Sequence, residues 1–569
     1  MKQIQVSKEH NLNIKLVLMS GFISAGLILL SNFQTSAITW PSTDNLPAVC
    51  RMLDSACLTS DFFTNASSVI TPRFPYTFLL SGVTSLVPFG LGGGLAVIKG
   101  VLLAFLPALW CMVLIYIAIF SLRNPKFYWL DNYFKVQLGV LALIIPAIIF
   151  LLQGSLGLKL SVAWWPPLSF DATPQNFSLL ICLFSSWLYS LNKRFLCGFL
   201  FFWGGIIHPA ATIFFAIYFG LLIFDWIKLS HNIDLLTKIF MPTLVASLCA
   251  TYFFGGGNVN IGASDFAKIY ALEAHSGHYI PSKFGSLSPY PWQKSFSIIC
   301  IGLFILSCVL YKLKSHAWKN AITALLVYSG AIFCQYAFVE IYPIKIIAQI
   351  GPSRFSMFGP WLLVSFLLTT IALLYSRLPK ATERYLDLLS QKIIAIPTYI
   401  FGVILIGIII SILLYSTSKN SYQIIFPDKS GVDLGNFAEN YSKMDDVFAL
   451  PFFAPRVEFP LITKRAIFFG NGFPFSEKYF SEWDYRNANI NGRIKDIENL
   501  PGGWIGDKYS FFYNGLTPND FVKMSKVHRL DWVVLYPENV SGFQNCKKSY
   551  DNSGYQIYSI VDLEKCISN

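Results

Sequence analysis

Carboxylates, arginines and histidines are concentrated in a few of the connections between the apolar stretches of this chain. Asp44 and Asp61 lie in the first long connection, His278 lies in a later one, and Arg354 stands at the start of a late apolar stretch. A carboxylate can accept a proton from a hydroxyl group, and arginine or histidine can hold and neutralise a phosphate leaving group. These residue types together are typical of group-transfer chemistry at a membrane surface.

The candidate catalytic residues are the two aspartates of the first connection. Asp61 is the first candidate for the general base, because two phenylalanines and an amphipathic segment follow it and would hold it at the lipid surface. Asp44 is the second candidate, and the alternative for both aspartates is loop solvation or helix capping alone. Arg354 is the preferred phosphate partner, since its guanidinium can bind two oxygens at once, and His278 would support it. The alternative for Arg354 is a side chain that extends from a helix end to the membrane surface.

Three further residues are candidates for binding substrate, namely Arg73, His208 and His275. His208 precedes a proline within an apolar stretch and is as consistent with capping a broken helix as with contacting a ligand. No Cys/His cluster has the spacing of a zinc site, so no metal ligand is assigned and a dependence on a divalent metal stays open. The sequence also has no GxxxxGK[ST] loop, no GxGxxG after a strand and no HExxH, which argues against ATP-driven transport.

The elements that must position these residues are apolar helices. The mean hydropathy is +0.52, 54% of the residues are hydrophobic and 13% are charged. About eleven apolar stretches between Lys15 and Ser416 are long enough to cross a bilayer. The sequence therefore predicts a mainly α polytopic membrane protein, with residues 1–416 as its transmembrane domain.

The basic residues lie in short alternate connections, which indicates orientation rather than nucleic-acid binding despite the formal charge of +12. This pattern predicts an N-terminus in the cytoplasm, and site residues and a C-terminal domain on the outer face. The expected location is the inner (plasma) membrane. Two stretches interrupt the regular pattern: 74–95 is predicted to be re-entrant or interfacial, and 195–224 to form two short helices that meet near His208.

Residues 417–569 have an ordinary mixed composition and are predicted to form an exterior α+β domain that folds independently. Strands are expected at 465–469, 532–536 and 556–561, and a helix at 518–527 with Thr517 as its N-cap. A second helix is expected to turn Phe480, Trp483 and Asn487 to one face. The pairs Cys50/Cys57 and Cys546/Cys566 would meet an oxidising compartment, and whether either forms a disulfide is left open.

Several short motifs carry a resemblance that spans nearly the whole chain. The order of elements resembles the GT-C glycosyltransferase fold, and the chain is similar to an uncharacterised family of large bacterial polytopic membrane proteins. The matching pieces are Ser60-Asp61-Phe62-Phe63, Thr71-Pro72-Arg73-Phe74, His208-Pro209, the stretch from His275 to Pro281, Pro352-Ser353-Arg354-Phe355, Phe473-Pro474-Phe475-Ser476 and Glu482-Trp483-Asp484-Tyr485-Arg486.

The resemblance implies an inverting hexosyl transfer from a polyprenyl-phosphate-linked donor to an acceptor on the outer face, with an aspartate of the first outer connection as the base. Membrane lipid and a lipid-linked sugar are the partners it implies. The chain departs from the family pattern in lacking a paired Asp-Glu after the first helix. Two alternatives remain open: a transporter or lipid flippase, which would place charges at mid-span, and a non-catalytic envelope protein.

Overall fold

The computed structural model describes residues 46–68, 71–87, 90–122, 172–254, 261–283, 292–375, 424–470, 472–474, 476–539 and 542–568. Across these ranges the chain is mainly helical with one small sheet. Asp44, the first predicted helix at 16–30 and the predicted domain boundary at residue 416 lie outside them. We describe the helical body, residues 46–375, and the tail, residues 424–568, in turn.

In the described ranges the body consists of helices, several of which are joined by short turns. Its helices are α1 (Leu46–Leu53), α2 (Phe62–Ser68), α3 (Phe74–Leu86), α4 (Gly90–Leu122), α5 (Pro174–Ser190), α6 (Arg194–Ile207), α7 (Pro209–Ile223), α8 (Leu229–Leu235), α9 (Met241–Phe254), α10 (Ala263–Phe266), α11 (Ser276–Tyr279), α12 (Trp292–Lys312), α13 (Ala317–Gln335), α14 (Lys345–Ile350) and α15 (Gly359–Tyr375). Helix α5 packs on α6, α6 on α9 and α12 on α13. The rings of Trp110 and Trp361 stack at 3.8 Å and join α4 to α15 in the core.

Wider helical turns and 3-10 turns connect or extend several of these helices. They lie at Leu236–Phe240, Ala267–Ala274, Pro281–Lys283, Tyr336–Ile341 and Pro352–Phe358.

Four helices in the described ranges are long and apolar enough to cross a membrane: Leu229–Ala250, Gln293–Lys312, Ala317–Ile341 and Lys345–Leu374. A bent pair of helices raises the number to five if it forms one span. These helices support membrane association, but they are far fewer than the eleven predicted spans. Part of the predicted count falls on residues outside the described ranges, and the two helices within 195–224 have 14 and 15 residues, fewer than the roughly 20 that cross a bilayer.

Both predicted interruptions are confirmed as breaks. The pair Phe74–Leu86 and Gly90–Leu102 is bent by 109°. Its second helix returns close to the first, since a Cβ added at Gly94 would lie 2.2 Å from Thr84 Oγ1. His208 has an extended backbone (φ −152°, ψ 93°), which ends α6 and allows α7 to begin at its proline.

The tail contains a five-stranded sheet in the order β2-β1-β3-β5-β4, with β1 parallel to both β2 and β3, and β5 antiparallel to β3 and β4. The strands are β1 (Val447–Ala449), β2 (Ala466–Ile467), β3 (Trp532–Leu535), β4 (Tyr550–Asp551) and β5 (Gln556–Ser559). The helices are α16 (Lys429–Tyr441), α17 (Glu458–Thr463), α18 (Phe480–Ile490), α19 (Ile494–Ile497), α20 (Ile505–Asn514), α21 (Pro518–Val527) and α22 (Ile560–Ser568). Short 3-10 turns lie at Glu477–Tyr479 and Pro537–Asn539.

The three predicted strands and the two predicted tail helices are confirmed. Asp520 accepts hydrogen bonds from the backbone N–H and the hydroxyl of Thr517, which fixes the start of α21. Phe480, Trp483 and Asn487 are buried on one face of α18.

The core of the tail is continuous with segments that connect the helices of the body. One buried cluster joins Phe63 and Tyr279 of the body to Phe473 and Val533 of the tail. The Ile494 N–H donates to the Glu273 carboxylate at 3.0 Å, so the two parts also share buried polar contacts. The independent folding of residues 417–569 stays a prediction.

Two disulfides are present, Cys50–Cys57 in the body and Cys546–Cys566 in the tail. Both pairs that the sequence left open therefore form. Disulfides are typical of proteins that meet an oxidising compartment.

Candidate functional site

Four of the predicted substrate-binding residues converge at one place in the body. Arg73 precedes α3, His208 separates α6 from α7, His275 precedes α11, and Arg354 lies in the 3-10 turn before α15. Both arginines lie within electrostatic reach of both histidines and of Tyr279. We call Arg73, His208, His275 and Arg354 the basic cluster. Its members come from four segments that are distant in sequence.

Arg354 is positioned by a tight backbone turn and by an aromatic ring. Gly351 adopts a left-handed conformation (φ 65°), and a Cβ there would lie 2.8 Å from the Tyr279 hydroxyl. Glycine therefore lets the turn approach Tyr279. The Arg354 guanidinium carbon lies 4.7 Å from the centre of the Tyr279 ring, a cation–π arrangement. The Arg354 Nε atom is buried and has no hydrogen-bond partner within the described ranges.

Gln335 links the two segments that carry Arg354 and His275. Its side chain is fully buried at the end of α13. The amide Nε2 donates to the Tyr279 carbonyl at 2.7 Å, and Oε1 accepts from the Ser353 N–H at 3.3 Å. Sequence reasoning missed Gln335. The sequence signal that could have identified it is a glutamine within an apolar stretch, because a buried amide needs hydrogen-bond partners.

The two histidines of the basic cluster have opposite hydrogen-bonding roles at Nδ1. His208 Nδ1 accepts the Ala211 N–H at 3.1 Å and so caps α7, which leaves Nε2 as the N–H donor of the neutral ring. The predicted capping role of His208 is therefore confirmed, and its Nε2–H group can donate to a ligand. His275 Nδ1 lies 2.8 Å from the Tyr270 carbonyl and donates to it. Burial lowers the pKa of His275 to about 3, with Arg354 and Arg73 acting in the same direction, so this ring is neutral at pH 7.

His278 lies in α11, the helix that also carries Tyr279. Its support of Arg354 stays a prediction.

Asp61 lies at a second place, the contact between the body and the tail. It is 2% exposed. One carboxylate oxygen accepts the Thr64 N–H at 2.7 Å and so caps α2, and the other accepts the Ile467 N–H of edge strand β2 at 3.3 Å. Burial raises the pKa of the Asp61 carboxyl group, although a hydrogen bond from the Thr64 side chain, these two N–H bonds and the charge of Arg486 oppose the rise. Asp61 also lines a cleft between the body and the tail.

Arg486 of the Glu-Trp-Asp-Tyr-Arg motif stabilises this contact. Its guanidinium carbon lies 4.8 Å from the Phe62 ring centre and 4.6 Å from that of Phe468. It donates to the Phe468 carbonyl at 2.7 Å and pairs with Glu482 at 2.7 Å. Arg486 therefore links Phe62, the residue after Asp61, to Phe468, the residue after strand β2.

A short tail segment lies between Asp61 and the basic cluster. A Cβ at Gly472 would fall within 2.1 Å of the Phe63 ring, so the chain passes directly over that ring. The next residue, Phe473, has its ring centre 5.3 Å from that of His275. The tail therefore contacts the surroundings of Asp61 through Gly472 and the basic cluster through Phe473.

A scan of the chain against models of known protein families finds no match, and a search among curated proteins finds no relative. In the part of the chain that the structure describes, no group of three or more His, Cys, Asp or Glu side chains is arranged to hold a metal ion.

Proposed function

We propose that this chain is a membrane glycosyltransferase of the GT-C type. It moves a sugar from a polyprenyl-phosphate-linked donor to an acceptor on the outer face of the inner (plasma) membrane. In this proposal the protein crosses the membrane about eleven times, with its N-terminus in the cytoplasm and its tail on the extracytoplasmic side. The two disulfides, which lie in segments assigned to the outer face, support that orientation.

The observation that carries the proposal is the convergence of the basic cluster. Arg354 and His275 lie against the Tyr279 ring, at 4.7 Å and 5.4 Å from its centre, and the charges of Arg354 and Arg73 reach both His275 and His208. A guanidinium binds two phosphate oxygens in one plane and stays charged at any physiological pH. Arg354, whose Nε has no described partner, is the residue proposed to hold the donor phosphate.

The proton must leave the acceptor hydroxyl for a carboxylate. Asp61 is the first candidate, because a carboxylate has about four lone-pair sites and the Thr64 side chain and the Thr64 and Ile467 N–H groups occupy three of them, which leaves one for an acceptor hydroxyl. Asp44 remains the second candidate. Its position lies outside the described ranges.

The test is transfer of a hexose from synthetic polyprenyl-phosphate hexose by the purified full-length protein in liposomes. Arg354→Lys should lower the rate at least tenfold, because a point charge does not reproduce bidentate contact. The matched control is Arg194→Lys, since Arg194 lies at the opposite end of α6 and pairs with Asp234. Equal rates in both variants and the unaltered protein would contradict the assignment of Arg354. No transfer by the unaltered protein with any hexose donor would favour the flippase or the non-catalytic alternative.

A further inference from the structure

Two turns of the body lie together at the ends of apolar helices. The first turn, residues 224–228, joins α7 to α8, and the second, residues 313–316, joins α12 to α13. Three of the four described helices that are long and apolar enough to cross a membrane begin or end at these turns: Leu229–Ala250, Gln293–Lys312 and Ala317–Ile341. Helices that cross a bilayer end at the level of the lipid headgroups, so both turns belong at that level.

Asn320, at the start of α13, fixes the two turns to each other. Its side-chain oxygen accepts the indole N–H of Trp226, and its amide nitrogen donates to the carbonyls of Leu222, at 3.2 Å, and Phe224, at 3.1 Å. Asn320 is itself buried. These bonds hold the Trp226 ring in one orientation, while 46% of the residue stays exposed. Tryptophan is enriched at this level of membrane proteins because its ring is apolar and its N–H is polar.

An exposed apolar stripe begins at the first turn. Leu229, Ile233 and Leu236 follow one another at spacings of four and three residues and are all exposed, so they lie on one outward side of the helix. Exposed residues continue the stripe along α9, namely Met241, Leu244, Val245 and Leu248. We call this row, from Leu229 to Leu248, the apolar stripe. Its position below an exposed indole suits an acyl chain of a lipid.

The polar end of the apolar stripe carries positive charge. Four lysines lie in or next to the two turns: Lys228, Lys312, Lys314 and Lys319. The Lys319 ammonium lies 5.7 Å from the centre of the Trp226 ring, so it reaches from the second turn to the first. None of the four is paired with a carboxylate in the part of the chain that the structure describes.

The acidic residues nearby do not offset this charge. Asp225 is buried, and one of its oxygens accepts the backbone N–H groups of Ile227 and Lys228, at 2.8 and 2.9 Å. Asp234 pairs with Arg194. Residues 308–320 contain no aspartate or glutamate. The exposed surface of the two turns therefore complements an anionic headgroup.

We propose that this surface binds an anionic phospholipid, with the phosphate between Lys228 and Lys319 beside Trp226 and an acyl chain along the apolar stripe. A lysine near an anionic lipid surface contributes about fivefold to the affinity. A zwitterionic lipid has the same chains and the same phosphate, but its headgroup carries no net charge. The two lysines therefore predict a preference for the anionic lipid.

The proposed lipid site is separate from the basic cluster. It lies at the end of α7 and the start of α13, whereas His208 precedes α7 and Gln335 ends α13. At a rise of about 1.5 Å per residue, these two helices place the sites roughly 20–30 Å apart. Binding of the phospholipid does not rest on the proposed transfer reaction. Its assignment to the cytoplasmic leaflet does rest on the topology in that proposal.

The experiment measures, by native mass spectrometry of the full-length protein in detergent, the dissociation constants of phosphatidylglycerol and phosphatidylcholine with identical acyl chains. Phosphatidylglycerol should bind about 10- to 30-fold more tightly, since each of the two lysines contributes about fivefold. The double variant Lys228→Gln/Lys319→Gln should lose most of this preference and bind phosphatidylcholine as before. Equal affinities of the unaltered protein for the two lipids would overturn the proposal.

The matched control is the double variant Lys478→Gln/Lys495→Gln in the tail. It changes the net charge by the same amount, both lysines are exposed, and the Lys478 ammonium also lies over an aromatic ring, that of Tyr479, at 5.4 Å. This variant should keep the full preference for phosphatidylglycerol. An equal loss of preference in both double variants would show an effect of overall charge and refute the site.

Crosslinking of the unaltered protein locates the lipid without any substitution. Phosphatidylglycerol with a photoreactive group in its headgroup should label peptides within residues 224–238 or 311–320, and phosphatidylcholine with the same group should label them less. Labelling by phosphatidylglycerol that is confined to the tail or to the basic cluster would contradict the proposal.

Discussion

Replacing Asp61 by alanine tests the two hydrogen bonds that attach the start of α2 to the tail. Both the Thr64 and the Ile467 N–H groups would lose their acceptor inside the protein. A buried N–H without a partner costs about 1–3 kcal/mol, so the two together predict a loss of about 2–6 kcal/mol. The matched control is Asp428→Ala, because Asp428 caps α16 through the single Gly431 N–H and is exposed. The control should show the smaller loss.

Asparagine at the same position separates the structural role from catalysis. Because burial raises the pKa of Asp61 above 3.8, the stability linked to its protonated form is fully present below pH 3.8 and is lost as the pH rises through the folded-state pKa. A neutral side chain of the same shape avoids that loss. The asparagine amide keeps only one acceptor oxygen, so one of the two N–H groups loses its acceptor, and Asp61→Asn should lie between the unaltered protein and Asp61→Ala in stability at pH 7. If Asp61 is the base, the transfer rate should nevertheless fall about 10²- to 10⁴-fold.

The assays are thermal unfolding in detergent across a pH series and hexose transfer in liposomes, both on protein purified at equal amounts. A stable Asp61→Asn variant with an unchanged transfer rate would remove Asp61 as the base and leave Asp44. An Asp61→Ala variant no less stable than Asp428→Ala would refute the hydrogen-bonding argument itself.

Two further predictions concern the surroundings of the basic cluster. Gln335→Leu removes the hydrogen bonds to Tyr279 and Ser353, so the affinity for a polyprenyl phosphate should fall about tenfold. The control Asn320→Leu removes a similar amide link at the other end of α13 and should lower only stability. Equal affinities of the two variants would refute the positioning role of Gln335. His275→Gln should make stability fall less steeply at acid pH. The stability linked to the depressed pKa of His275 is present above pH 6.5 and is lost as the pH falls towards about 3. An unchanged dependence of stability on pH would contradict the burial of a neutral His275 ring.

Local sequence signals predicted the breaks in the helices well. Two glycines and a proline around His208 predict a break because they weaken a helix locally, and the break is present. The number of spans was not predictable in the same way, because it depends on where helices end and not on hydropathy alone. Strands β1 and β4, of three and two residues, were missed, whereas β2, which also has two residues, was predicted because it lies in the longer apolar run 465–469.

The candidate site was predictable in its residue types and not in its partners. Polar residues on the predicted outer face led to Arg73, His208, His275 and Arg354, which do converge. The contact of Asp61 with Ile467 joins residues 406 positions apart, and no local pattern announces it. The same holds for Gln335, whose two contacts depend on how α13 packs against two separate turns.

The measurement that tests the central claim most directly is photo-crosslinking of the unaltered protein in nanodiscs with a polyprenyl phosphate that carries a photoreactive group next to the phosphate. Labelling should map to the peptides that contain Arg73, His275 or Arg354, and it should be competed by unlabelled polyprenyl phosphate but not by the uncharged polyprenol. Labelling that polyprenol competes equally well, or that maps to the opposite end of α6 near Arg194, would contradict a phosphate site at the basic cluster.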